Sequence, residues 1–151
     1  MYTMTNLPTF ILFTDGACLG NPGPGGWAYI LRNDAGEIVG SGGNPDTTNQ
    51  RMEVTAVLRA LESLKEPSVI EIHADSQYVT KGLTQWMDGW IAKDWKNAQK
   101  KPVANQDLWK PLSELREIHQ ITTIWVKGHS GHPENERCDT IASAEAEIFS
   151  Q

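Results

Sequence analysis

The chain predicts an α/β fold: one five-stranded sheet of mixed direction, a three-stranded antiparallel meander plus two parallel strands, with helices on both faces. Three observations lead there. Strand-like apolar runs fill the first forty-odd residues, helical spacing sets in at Asn49, and strands and helices alternate from there on. Thr9 to Thr14, Gly26 to Arg32 and Ile38 to Gly42 are the first three strands, and Asn33-Asp34-Ala35-Gly36 is a hairpin turn signal between the last two. Val54, Leu58, Leu61 and Leu64 recur at helical spacing from Asn49 to Leu64, before Pro67. Ser68 to Ala74 is again strand-like, and Asp75-Ser76 offers an N-cap for a helix through Gly82. Leu108, Leu112, Leu115 and Ile118 mark another helix, with Pro111 leaving its start open. Ile121 to Val126 is a fifth strand and Glu134 to Phe149 a closing helix.

No repeat, low-complexity tract or long charged run interrupts the 151 residues, so a single domain over 1–151 is expected. The early apolar run Phe10-Ile11-Leu12-Phe13 is far too short to span a bilayer, and no signal peptide is expected. Cys18 and Cys138 form no CxxC pattern, which fits reduced thiols and a cytoplasmic protein. Thirteen Lys and Arg against nineteen Asp and Glu give a net charge of −6, which by itself argues against a polyanionic partner. That objection weakens if cations neutralise part of the acidic surface and the bases are gathered in one place.

Topology places the acids. If the first and third strands run upward, the helix bearing Glu53 begins at the upper edge, where Asp15 ends strand one. Each crossover then returns the chain for another upward strand, so Asp75 follows strand four at the same edge. Asp139 falls in the second turn of the closing helix, which starts there too. Singly, each acid has a plainer reading: a turn at Asp15-Gly16, a helix cap at Asp75, solvated helix faces at Glu53 and Asp139. Together, four carboxylates at one edge repel one another unless cations sit among them. Oxygen ligands suit Mg²⁺ or Mn²⁺, ions that also bind phosphate oxygens, so phosphodiester hydrolysis is the natural chemistry. His129 and His132 are spaced as HxxH near Cys138, but a zinc site lacks a fourth ligand. His132 reads as structural. Gly20 to Gly26 is read as a tight connection between strands one and two; it matches neither nucleotide-binding motif.

Between Trp86 and Lys101, Trp86, Trp90 and Trp95 alternate with Lys93, Lys96, Lys100 and Lys101. The tryptophans fit the core of a small helical corner better than base-stacking platforms. The lysines form the densest positive segment of an acidic chain, suited to duplex phosphates.

The strings FTDGACLGNPGPGGW, TTNQRMEVTAVLRALESL, ADSQYVTKGLTQW and WVKGHSGHPENERCDTIA, spread from about Thr9 to about Ala146, closely resemble the bacterial type 1 ribonuclease H family. The resemblance implies the ribonuclease H-like fold. It also implies an endonuclease that hydrolyses the RNA strand of RNA–DNA hybrids, leaving a 5′-phosphate and a 3′-hydroxyl. By the same resemblance Asp15, Glu53, Asp75 and Asp139 bind two Mg²⁺ ions, for which Mn²⁺ can substitute, with Asp15 bridging both. His129 assists proton transfer or product release. The segment Cys18 to Asn21, including Gly20, meets RNA 2′-hydroxyls largely through main chain. Thr48, Asn49, Gln50, Gln77 and Asn105 line the DNA side, with Thr48 and Asn105 near a phosphate pocket. Trp86 and the four lysines belong to the basic protrusion that grips the hybrid. Asp46, Gln50, Ile91 and Ala92 depart from what relatives commonly carry, and bear on affinity. The expected partner is the hybrid, with no membrane, no obligatory protein partner and a monomeric state. Alternative readings are another polynucleotidyl transferase of this fold or a non-catalytic hybrid-binding module; the first should lack GHxGHPEN, the second a metal ligand.

Overall fold

The computed structural model describes residues 7–127 and 132–151. Strands β1 (Thr9–Cys18), β2 (Gly23–Asn33), β3 (Gly36–Thr47), β4 (Val69–Ala74) and β5 (Gln120–Trp125) form one sheet in the order β3-β2-β1-β4-β5. β2 runs antiparallel to β1 and β3, whereas β4 is parallel to β1, and β5 to β4. The expected meander and parallel pair are thus both present. Asn33 makes the hairpin turn: its Oδ1 accepts from the Ala35 N–H at 2.9 Å.

The meander strands outrun their apolar cores. Gly25 and Gly26 pair with Cys18 and Ala17, and Gly42 and Gly43 with Trp27 and Gly26, so backbone pairing carries the ladder through stretches without an apolar signal. Two expectations are corrected by this. Residues 19–22 alone connect β1 to β2, and Asp15 lies within β1 and not at its end.

Helix α1 (Asn49–Glu62) is capped by Thr48, whose hydroxyl accepts from the Arg51 N–H at 3.2 Å. After β4 come α2 (Gln77–Lys81), a π-helical turn (Gly82–Trp86) and α3 (Met87–Ala92); α4 (Gln106–Ile118) precedes β5, and α5 (Pro133–Phe149) follows it. Pro111 sits inside α4, where the burial of Leu108, Trp109 and Leu112 outweighs the lost backbone bond. On one face of the sheet Val54, Val57, Leu61 and Leu112 pack with Leu12, Leu31, Ile70 and Ile72. On the other, Cys138 and Ala142 of α5 meet Phe13, Ala28 and Ile30. Helices therefore cover both faces. None of the described helices is long and apolar enough to cross a membrane.

The tryptophans build the expected corner. Trp109 is fully buried, its ring 5.5 Å from Tyr78 and 5.3 Å from Trp90, and its indole N–H donates to the Tyr78 hydroxyl at 3.1 Å. Trp90 in turn contacts Trp86 and Trp95, while Trp86 remains 37% exposed. Trp109→Ala is expected to cost about 3–5 kcal/mol in urea unfolding, and Trp86→Ala clearly less. Equal losses would show that the corner is not centred on Trp109.

Candidate active site

The register brings two acids level. Phe13 is paired with His73 across the parallel β1 and β4, so Asp15 and Asp75, each two residues further on, stand side by side. Glu53 reaches them from α1, and Gly16 makes this possible. A Cβ at Gly16 would lie 2.5 Å from the backbone nitrogen of Glu53, so any larger residue would hold the helix off the strand. Asp15, Glu53 and Asp75 each place a carboxylate oxygen within 4.8 Å of the others. Asp139, on the second turn of α5, stands outside that group of three, its carboxyl within hydrogen-bonding reach of Asp15.

Asp15 and Glu53 are 5% and 6% exposed, which makes ionisation costly. Burial first, then the charges of Asp75 and Asp139, push the Asp15 carboxyl up to about 8, although the Gly16 N–H donates to it at 2.8 Å. Glu53 is likewise pushed well above the ordinary glutamate range by burial and then by Asp15 and Asp75. Its Oε2 is buried and has no hydrogen-bond partner among the described residues. An all-oxygen donor set, mutual repulsion and an orphaned carboxylate oxygen are what a hard divalent cation would relieve, so these residues fit such an ion.

Thr48 and Asn105 lie at two ends of Arg51: its backbone N–H reaches the Thr48 hydroxyl, and its guanidinium donates to Asn105 Oδ1 at 3.0 Å. Asn105 also donates to the Tyr78 hydroxyl at 3.0 Å. Cys18 is half-buried, its thiol facing the Gly23 and Thr47 carbonyls at 3.4 and 3.5 Å. Asn21 accepts from the Asn49 N–H at 2.9 Å, tying the 19–22 connection to the start of α1. Gly20, Asn49, Gln50 and Gln77 are exposed, as are Lys93, Lys96, Lys100 and Lys101, none of which forms an ion pair among the described residues. Asp46, Ile91 and Ala92 are exposed too. His129 lies outside the described residues.

Sequence reasoning passed over the residues that hold these elements in place. Arg51 forms a bidentate ion pair with Asp107 at 2.7 and 3.0 Å, fastening α1 to α4. Arg32 on β2 pairs with Glu134 of α5 at 2.7 Å and Glu37 of β3 at 2.9 Å, and Glu37 also takes Arg137 at 2.9 Å. Asn135 donates from Nδ2 to the His73 carbonyl at 3.1 Å. These bonds fix the start of the helix that carries Asp139. The one available signal was the four-residue interval from Asn135 to Asp139, which puts both on one helical face.

Residues 8–147 match a protein-family model described as RNase H. The Ribonuclease H of Aromatoleum aromaticum (strain DSM 19018 / LMG 30748 / EbN1) is 58% identical over 131 residues, 87% of this chain and 86% of its own. Among solved structures, LC9-RNase H1, a type 1 RNase H with the type 2 active-site motif, superposes with a TM-score of 0.84 at 27% identity. That likeness covers 96% of this chain and 75% of the other. The foamy viral protease-reverse transcriptase in complex with RNA/DNA hybrid gives 0.74 at 20% identity, covering 92% of this chain and 20% of that one, a likeness of fold alone.

Raised carboxyl values have a definite sign in stability. Where the folded chain keeps a proton that the unfolded chain has released, stability falls as pH rises, here from about 4 through the value near 8 reached by Asp15. Without divalent cations the chain should melt at a higher temperature at pH 5.5 than at pH 8. Asp15→Asn should flatten that slope. A wild-type melting temperature that rises across the interval would contradict the raised values.

Proposed function

This chain belongs to the RNase H family and is an endonucleolytic hydrolase of RNA, and from that premise we propose the substrate, ions and residues it uses. A single domain over residues 1–151 hydrolyses the RNA strand of RNA–DNA hybrids, leaving a 5′-phosphate and a 3′-hydroxyl. Asp15, Glu53, Asp75 and Asp139 hold two Mg²⁺ ions, with Mn²⁺ able to substitute. The observation that carries this reading is the trio of Asp15, Glu53 and Asp75, the first two buried, with its unpartnered Glu53 oxygen. When bound, the cations supply Lewis-acid charge that neutralises the phosphodiester and makes its hydrolysis feasible near neutral pH.

The chain's own groups do the rest. Asp15, within β1, and Asp75, directly after β4, fix the site to the two central parallel strands, and Glu53 closes it from α1. His129 moves a proton during the displacement. Cys18, Gly20 and Asn21 meet RNA 2′-hydroxyls through main chain, the group that distinguishes RNA from DNA. Thr48, Asn49, Gln50, Gln77 and Asn105 take the DNA strand. The hydrogen bond from the Asn49 N–H to Asn21 supports this division, because it sets the RNA-facing connection directly against the DNA-facing helix start. Trp86, Lys93, Lys96, Lys100 and Lys101 grip the duplex backbone. The protein acts as a cytoplasmic monomer without an obligatory protein partner. Because all four acids are present, a non-catalytic binding module is disfavoured.

Asp15→Asn should fold yet lose Mg²⁺-dependent cleavage of a labelled hybrid, which wild type should cut in preference to duplex or single-stranded RNA and only without chelator. Wild-type turnover by the variant sinks the ligand assignment; equal cutting of the three substrates sinks hybrid specificity. Replacing Lys93, Lys96, Lys100 and Lys101 with alanine should raise KM for the hybrid severalfold and flatten its salt dependence. An unchanged salt slope would remove the grip from this segment.

A further inference from the structure

Asn135 is the third residue of α5, on the face that carries Asp139. Its Nδ2 donates to the His73 carbonyl, two residues before Asp75. A carbonyl only accepts, so this bond fixes which end of the amide is nitrogen and leaves Oδ1 as an acceptor that must be satisfied elsewhere. Oδ1 is buried and has no partner among the described residues. Asn135 also lines a small void with Asp15, Asp75, Val126, His132 and Glu136, whose volume of about 10 Å³ corresponds to a single water position. With a cation holding Asp15 and Asp75 ionised the carboxylates only accept, Val126 is apolar, and the His132 imidazole makes no hydrogen bond to Oδ1, so those walls give it no donor. A water can give one.

We propose that Asn135 is a positioning residue whose carboxamide oxygen accepts a hydrogen bond from one water seated beside Asp15 and Asp75. With one hydrogen directed to Asn135 and the other to a carboxylate, that water turns its oxygen toward a cation held by the same carboxylates. The inference rests on the proposed function and deepens it. Asn135 makes the site favour an ion that keeps part of its water shell, as Mg²⁺ does. The same side chain joins α5 to the end of β4, so helix, strand and water are registered together.

The test measures Mg²⁺ binding to the full chain by isothermal titration calorimetry, with wild type and Asn135→Ala compared, alongside thermal unfolding and hybrid-cleavage kinetics. Mg²⁺ affinity should fall about tenfold or more in the variant and kcat should drop, while KM for the hybrid stays near wild type. A folded variant that binds Mg²⁺ as tightly as wild type makes Asn135 a structural tether only, and overturns the proposal. A crystal structure of the Mg²⁺-loaded wild type provides a check independent of the variant's folding. It should show an ordered water about 2.7–3.2 Å from Asn135 Oδ1, and its absence overturns the proposal as well. A wild-type chain that neither binds Mg²⁺ nor cuts a hybrid refutes the functional reading and this proposal together; normal wild-type cleavage with unchanged variant affinity refutes this proposal alone.

Discussion

The contact on which the rest of the site depends is the approach of α1 to β1 at Gly16. Helix and strand touch there backbone to backbone, because Gly16 has no side chain to separate them. Glu53 is carried on that part of the helix, one residue of β1 away from Asp15, and the Thr48 cap settles where the helix begins. A side chain at position 16 would displace the helix start, and with it both the third carboxylate and the neighbouring residues proposed for the DNA strand. Gly26 plays the matching part on the opposite face, where a Cβ would collide with the Ala142 carbonyl of α5. Two small residues on adjacent strands thus let two helices close on the sheet from either side.

What those contacts assemble is unfavourable on its own. Burial and repulsion among acids work against the fold, and the strain is held by the apolar layers on both faces and by the Arg32, Glu37, Glu134 and Arg137 ion pairs around the start of α5. Proteins keep such arrangements where chemistry requires them, and a cation removes much of the penalty on binding. A cation bound by these carboxylates would consequently raise stability by the same interaction through which it relieves their repulsion.

Much of this was legible in the sequence, for identifiable reasons. Helical spacing in α1 and alternating burial in β4 reflect faces that a linear pattern can show, and the sign of each crossover then places Asp15, Glu53 and Asp75 at one edge. The ends of β1, β2 and β3 were not legible, because glycines and polar residues there are strands only by virtue of the neighbour they pair with. Pro111 obscured the start of α4 because local propensity is overridden by the burial of Trp109. Arg51 and Asn135 were missed since their partners, Asp107 and the His73 carbonyl, arrive from distant segments. For His129 the motif alone speaks.

Cys138 lies wholly buried on α5, its thiol donating to the Phe13 carbonyl at 3.4 Å on the strand that carries Asp15. Burial pushes that thiol up to about 12, so almost none of it is thiolate at neutral pH. Cys18 is half-buried near the 19–22 connection. The molecule therefore contains two chemical clocks of different rate. Alkylation of Cys138 must await separation of α5 from the sheet, so its labelling kinetics time the opening of the helix that bears Asp139, against the more accessible Cys18 as an internal standard.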